Sequence, residues 1–379
     1  MIAQNGGGRR TAWGGGGSTA ISTRGQEVKA QTYRGYPVED LVAKCRFEEV
    51  AYLIWHGDLP DPEQGRRFME RERAVRGLSR GTRSVLDRLP DCCAPIDVLR
   101  TAISVIGGED GEAEINEPLA LRARALALMA RMPTVVAYEY RRNRGLDSIP
   151  PDPDLGFVEN FFWMCFGVIP SPAIAHGFET ALILHAENGF SPSTFAARVV
   201  ISTQSDIYGA VGAAIGASKG ARQDGGAQAV MQMLLEIGDP RSAEAWVRDA
   251  LARRRPVAGF GADIGCGEEP CVPIMTQVFQ EVAALRHGRK WVEISEGLER
   301  TMRKEKGAFP GLEFPTGPTY YLMGFDVPMF ISLIAMGRIV GWIAHIIEQI
   351  DEDGFIRPLV AYHGPALRAV PGSVIDRAG

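Results

Sequence analysis

Across most of its length this chain places apolar residues three and four positions apart, the spacing that lines one face of an α-helix. The pattern predicts helices over residues 38–56, 94–106, 119–144, 155–166, 173–187, 194–201, 207–217, 228–237, 243–253, 273–287, 291–306 and 327–352. Pro133 is expected to kink or split the third of these. Breakers fall between them: Asp58-Leu59-Pro60, Gly107-Gly108, Pro150-Pro151-Asp152-Pro153, Gly238-Asp239-Pro240 and Gly311. Strand signals are scarce; residues 19–22 and 28–32 are expected to pair as a small hairpin. The pattern predicts an all-α, multilayer helical protein.

A chain of 379 residues can bury a large core and exceeds the usual size of one domain. Its formal net charge of −5 offers no footprint for nucleic acid or an anionic membrane, so the expected partners are small molecules or other protein chains. Six cysteines are too sparse for a disulfide scaffold, and no charged head with an apolar run opens the chain, so a cytoplasmic protein is expected. The Gly-rich start is expected to be disordered up to Ser18. The longest apolar stretch, residues 329–350, is interrupted by Gly337, Arg338, Gly341 and His345 and reads as a buried helix, not a membrane span. It and the Gly/Ala-rich stretch 209–220 suit either the centre of a helical domain or a subunit interface.

Several ordered segments carry a resemblance. Near the start stand Tyr33-Arg34-Gly35-Tyr36-Pro37, Phe47-Glu48-Glu49-Val50-Ala51-Tyr52-Leu53 and Gly57-Asp58-Leu59-Pro60. Asp97-Val98-Leu99-Arg100-Thr101-Ala102, Pro133-Thr134-Val135-Val136-Ala137-Tyr138 and Pro151-Asp152-Pro153-Asp154-Leu155 follow. Then come His185-Ala186, Ser193-Thr194-Phe195-Ala196-Ala197-Arg198, Met336-Gly337-Arg338, Gly341-Trp342-Ile343-Ala344-His345 and Ile356-Arg357-Pro358. Over residues 19–370 the chain resembles the citrate synthase family, in the short bacterial form that includes 2-methylcitrate synthases. The resemblance implies a large helical domain (19–222 and 321–379), a smaller helical domain (223–320), and a homodimer with active sites between domains. It also implies a Claisen-type condensation of an acyl-CoA co-substrate with a small keto-carboxylate, without a tightly bound cofactor.

Such chemistry needs a carboxylate base, donors for two developing oxyanions, and cations for a dicarboxylate. The resemblance places Glu313 on the family's catalytic Asp, one methylene longer, and a base misplaced by about 1 Å can lose on the order of 100-fold in rate. Asp224 falls where the family has the His that donates to the thioester oxygen, with the neutral donor Gln223 beside it. An ionised carboxylate only accepts hydrogen bonds, so Asp224 donates only when protonated. In Gly259-Phe260-Gly261-Ala262-Asp263, Ala262 replaces a donor His and Asp263 an Arg. Cys271 replaces a carboxylate-gripping Arg, and Asn188 a substrate-contacting His; His185 is kept. Arg338 and Arg357 match the family's carboxylate clamps, the second reaching the partner subunit's site, and Arg suits that role by its bidentate fork. Arg253, Arg254 and Arg255 lie where the family carries basic residues near the CoA phosphates; the same run also reads as a solvated charged turn. Cys266 and Cys271, with Glu268 and Glu269 between, do not form a recognised metal pattern.

The substitutions gather at substrate positions while the scaffold motifs are intact. The expectation is an enzyme of altered chemistry on another carboxylate; the alternatives are the family's own condensation run with substitute groups and a non-catalytic scaffold.

Overall fold

The computed structural model describes residues 18–23, 30–220, 225–260, 269–357 and 361–368. Among these the regular structure is almost wholly helical. The first half holds α1 (Val38–Lys44), α2 (Phe47–His56), α3 (Pro62–Ala74), α4 (Arg80–Leu86), α5 (Pro95–Gly108), α6 (Pro118–Arg142), α7 (Phe157–Phe166) and α8 (Pro172–His185). The second half holds α9 (Pro192–Ile201), α10 (Ile207–Ser218), α11 (Gly226–Ile237), α12 (Ala243–Ala252), α13 (Cys271–Leu285), α14 (Arg289–Lys306), α15 (Glu313–Leu322) and α16 (Phe330–Glu352). Three two-residue strands, β1 (Ser22–Thr23), β2 (Thr32–Tyr33) and β3 (Tyr36–Pro37), form an antiparallel meander ahead of α1.

The expectation of an all-α fold is met, with local corrections. The predicted helix 38–56 is two helices. Arg46 is extended and opens α2 with a reciprocal cap, its backbone N–H donating to Glu49 at 2.7 Å. Pro133 does not divide α6, which runs continuously through it. Three helices escaped the apolar pattern. α3 is held instead by its Asp61 cap, which accepts from Glu63 N and Gln64 N, and by a Glu63–Arg67 ion pair at 2.6 Å. α4 is short and capped by Ser79. α15 contains Pro315, Gly317 and Pro318, residues that read as a turn. The hairpin forms one or two residues later than expected, with Ser22 opposite Tyr33, and residues 24–29 lie outside the described set.

The stretch 329–350 is the buried helix expected. α16 is long and apolar enough to cross a membrane, yet every residue from Phe330 to Ile346 is buried in the protein. It packs against α2, α5, α6, α8, α9, α10 and α11, so it is the axle of the core. Trp55 on α2 donates its indole N–H to Val340 O at 2.9 Å, and Trp342 donates to Ser193 Oγ at 3.1 Å. Both satisfy the polar edge of a large buried ring.

Candidate active site

Three stretches distant in sequence meet at the first turn of α15. Gly311 N–H donates to Gly259 O at 2.9 Å, and Phe260 bridges to Pro310. The Phe260 and Phe314 rings pack at 4.8 Å. The start of α11 lies against the same turn: a Cβ on Gly226 would come within 3.2 Å of Glu313 Cγ, and one on Gly317 within 2.4 Å of Ala227 O. At Gly317 the neighbour is backbone, so the lack of a side chain is what lets α11 and α15 approach there. Glu313, half-buried, is therefore the first residue of a helix and not a loop carboxylate. Its negative charge faces the end of the helix that favours anions.

One turn further along α15, Thr316 reaches α8. His185, fully buried at the end of α8, has Nε2 3.3 Å from Thr316 Oγ1. The threonine hydroxyl donates to Leu312 O at 2.7 Å, so its oxygen accepts from His185 Nε2–H. α16 crosses α8 just behind this histidine: a Cβ on Gly337 would lie 2.8 Å from Leu182 O and 3.2 Å from His185 Cβ. The crossing sets Arg338, 3% exposed, beside the end of α8.

The surroundings of Arg338 are polar and dry. Tyr33 donates to Ile183 O at 3.0 Å, tying the β-meander to the turn that holds His185. Burial pushes the Tyr33 phenol well up, as it does that of Tyr320 on α15, and the Arg338 charge pulls each back in part. Cys271, where the resemblance expects an Arg, is buried at the start of α13 and donates Sγ–H to Gln31 Oε1 at 3.0 Å. Asn188 lies three residues past His185, half-buried. Thus α15 carries Glu313 and, one turn on, sets Thr316 against His185, while α16 crosses α8 at His185 one residue before Arg338.

Gln223, Asp224, Ala262, Asp263, Cys266 and Glu268 lie outside the described residues, although their neighbours Gly225 and Phe260 belong to the converging stretches. Arg357 is exposed beyond the end of α16, whereas Arg338 is buried. The arginine run is a surface turn after α12. Arg253 pairs with Asp249 at 2.9 Å, and Arg255 grips Glu236 with two bonds of 2.8 and 2.5 Å while stacking on Trp246. The Arg255 fork, then the Trp246 N–H, hold Glu236 down at about 2. Arg254 is exposed with φ +56°. Sequence reasoning passed over Tyr33, Thr316 and Tyr320. The last two share a helical face with Glu313, a spacing visible only once residues 313–322 are known to be helical.

The fold is a helical scaffold in which α15 and α16 both meet the His185 end of α8. The family profile described as "Citrate synthase, C-terminal domain" matches residues 15–359. A 2-methylcitrate synthase of Mycobacterium tuberculosis is 48% identical over 94% of this chain and 90% of its own length. A citrate synthase of Mycolicibacterium smegmatis is 47% identical over 93% and 94%. Among solved structures, citrate synthase from Thermoplasma acidophilum, in a ternary complex with carboxymethyl coenzyme A and oxaloacetate, superposes with a TM-score of 0.89 at 28% identity, covering 94% of this chain and 96% of that one. The Thermotoga maritima citrate synthase gives 0.84 at 33% identity, covering 93% and 95%. This chain belongs to the citrate synthase family.

Proposed function

We propose that this protein is a condensing acyltransferase that joins an acyl-CoA to an oxo-dicarboxylate of the oxaloacetate kind, the citrate or 2-methylcitrate reaction. The placement of Glu313 at the junction of α15, α11 and the 259–260 stretch carries this reading. Glu313 takes a proton from the carbon next to the thioester, the resulting enolate attacks the keto carbon, and water then releases CoA. Arg338 grips a substrate carboxylate, with Asn188 as a neutral donor at its other side. Arg357 serves the site of a second copy in a homodimer, which accounts for an arginine left exposed beyond α16. Residues 223–320 form the smaller domain that closes over the substrates, and Arg254 is the member of the arginine run left to meet a CoA phosphate.

A second reading is favoured by one specific feature of the sequence. Asp224 and Ala262 stand where the family's two histidine donors belong, and neither neutral alanine nor ionised aspartate can stabilise an oxyanion. On this reading the scaffold and carboxylate grip serve a derived reaction on another carboxylate.

Mass-spectrometric detection of products from oxaloacetate with acetyl-CoA or propionyl-CoA separates the two. Citrate or 2-methylcitrate at catalytic turnover supports the first reading. Oxaloacetate binding without either product rejects it in favour of the second, and absence of both binding and product rejects both.

A further inference from the structure

Beneath Asn188 lies a buried chain of polar groups that the proposed chemistry does not use. Glu187 Oε1 accepts three hydrogen bonds: from Gly189 N–H at 2.6 Å, from Ser22 Oγ at 3.0 Å and from His345 Nε2 at 3.0 Å. Its other oxygen fills a notch over α16, where a Cβ on Gly341 would come within 2.3 Å of Oε2. Gly341 N–H also donates to Ala186 O at 2.9 Å. The turn 187–189 is thereby fastened to α16 through both its backbone and its one buried carboxylate.

His345, fully buried, is itself held from the far side. Arg198 on α9 lies 3.3 Å from its Nδ1 and pairs with Glu348 at 2.7 Å and Glu352 at 2.6 Å. Glu348 Oε2 lies 3.6 Å from the same Nδ1, and the Phe190 ring packs edge-on at 5.3 Å. Glu348 Oε1 accepts from Ala20 N–H at 2.9 Å and Thr19 Oγ at 3.1 Å, so the segment before β1 closes the same cluster. A side chain held on every side transmits its position to its neighbours, because packed interiors have few alternative arrangements.

We propose that His345 is a positioning residue, which through Glu187 fixes the turn bearing Asn188 against the carboxylate grip of Arg338. The inference rests on the reading that Asn188 and Arg338 bind an oxo-dicarboxylate. Asn188 is within one residue of the anchored carboxylate, and Arg338 is two helical turns from His345 on the same helix, so the two contacts share one frame. The donor that matters is the one at Nε2.

The test uses the full-length protein and three variants. His345→Gln keeps an amide donor near the place of Nε2, His345→Asn places its donor on the Nδ1 side, and Ser22→Ala removes a second donor to the same oxygen. His345→Asn is expected to raise KM for oxaloacetate by roughly 10-fold with little change in kcat, since small misplacements of binding groups carry large penalties. It is also expected to speed exchange of the Gly189 amide. His345→Gln restores both toward wild type, and Ser22→Ala shifts both in the same direction by less. Combining Asn188→Ala with His345→Asn is expected to give far less than the sum of the two effects. If the wild type makes no product, the condensing reading fails alone, and the same cycle is read from oxaloacetate binding by calorimetry. Strict additivity in the cycle, or Gly189 exchange unchanged in every folded variant, overturns the proposal.

Discussion

Glu313 and Gly226 face each other so closely that a methyl on the glycine would sit 3.2 Å from Cγ and 3.3 Å from Cβ of the glutamate. The start of α11 thus acts as a wall against which the proposed base is set. Gly226→Ala is expected to fold and to keep most of its stability, because the neighbour it meets is a side chain that can rotate. The rotation carries the carboxylate away from its place, with an expected loss of roughly 10- to 100-fold in kcat. Steady-state kinetics beside a thermal melt check this: a fall in activity without a matching fall in melting temperature is the expected pattern.

Thr316 Oγ1 lies 3.3 Å from His185 Nε2, and its hydroxyl also closes the first turn of α15 through Leu312 O. Thr316→Val keeps the shape and removes the acceptor. The expected cost is about 1 kcal/mol in urea unfolding, the net worth of a typical intramolecular hydrogen bond. KM for the dicarboxylate rises with it, because the histidine end of α8 is no longer pinned to α15.

Glu48 gives the pH dependence of stability a definite sign. It is fully buried on α2; burial raises its pKa to about 7, the carboxylates of Glu72 and Glu179 add to this, and a backbone hydrogen bond and Arg76 oppose it. A carboxyl whose folded pKa lies above its unfolded value contributes stability that is fully present below about 4.5 and lost as pH rises through about 7. From the two pKa values the loss is about 3 kcal/mol. Glu48→Gln is expected to remove this component, flattening the decline in urea stability between pH 5 and 8. Identical pH profiles of stability for the wild type and Glu48→Gln would contradict it.

Arg357 lies exposed on its own chain, and the role proposed for it is at the site of a second copy. Glu313→Gln and Arg357→Ala proteins are each expected to be nearly inactive. In a mixed dimer, one of the two sites combines an intact Glu313 with the intact Arg357 of the other chain. Mixing and refolding should therefore restore about half the wild-type activity per mixed dimer, as two-fold symmetry requires. A monomer by light scattering, or no recovery on mixing, rules out the shared site.

The sequence made most of the helices legible because their buried faces repeat every three to four residues; α5, α7, α8, α9, α10, α11, α12 and α16 fall within a few residues of the pattern. What it hid were elements held by other means. α3 carries seven charged residues among its thirteen and stands on its cap and ion pairs, which leave no apolar rhythm. α15 was hidden by Pro315, Gly317 and Pro318, and it matters most for the site. Pro315 lies in the first turn, where the missing N–H has no helical partner anyway, and Gly317 is where Ala227 presses in. Glu313 and Arg338 were legible as single residues through resemblance, whereas Thr316, Tyr33 and Tyr320 became visible only when the helices crossed. Arg255 shows the opposite case: a cation legible as a phosphate ligand is held in a surface ion pair with Glu236.

The account stands on Glu313 as the proton acceptor. Glu313→Gln preserves size and hydrogen bonding while removing the basic lone pair. The direct measurement compares kcat for wild type and this variant with oxaloacetate and either acetyl-CoA or propionyl-CoA. A fall of at least about 100-fold, with the melting temperature preserved, is the predicted result. Condensation proceeding in the variant at the wild-type rate would contradict it.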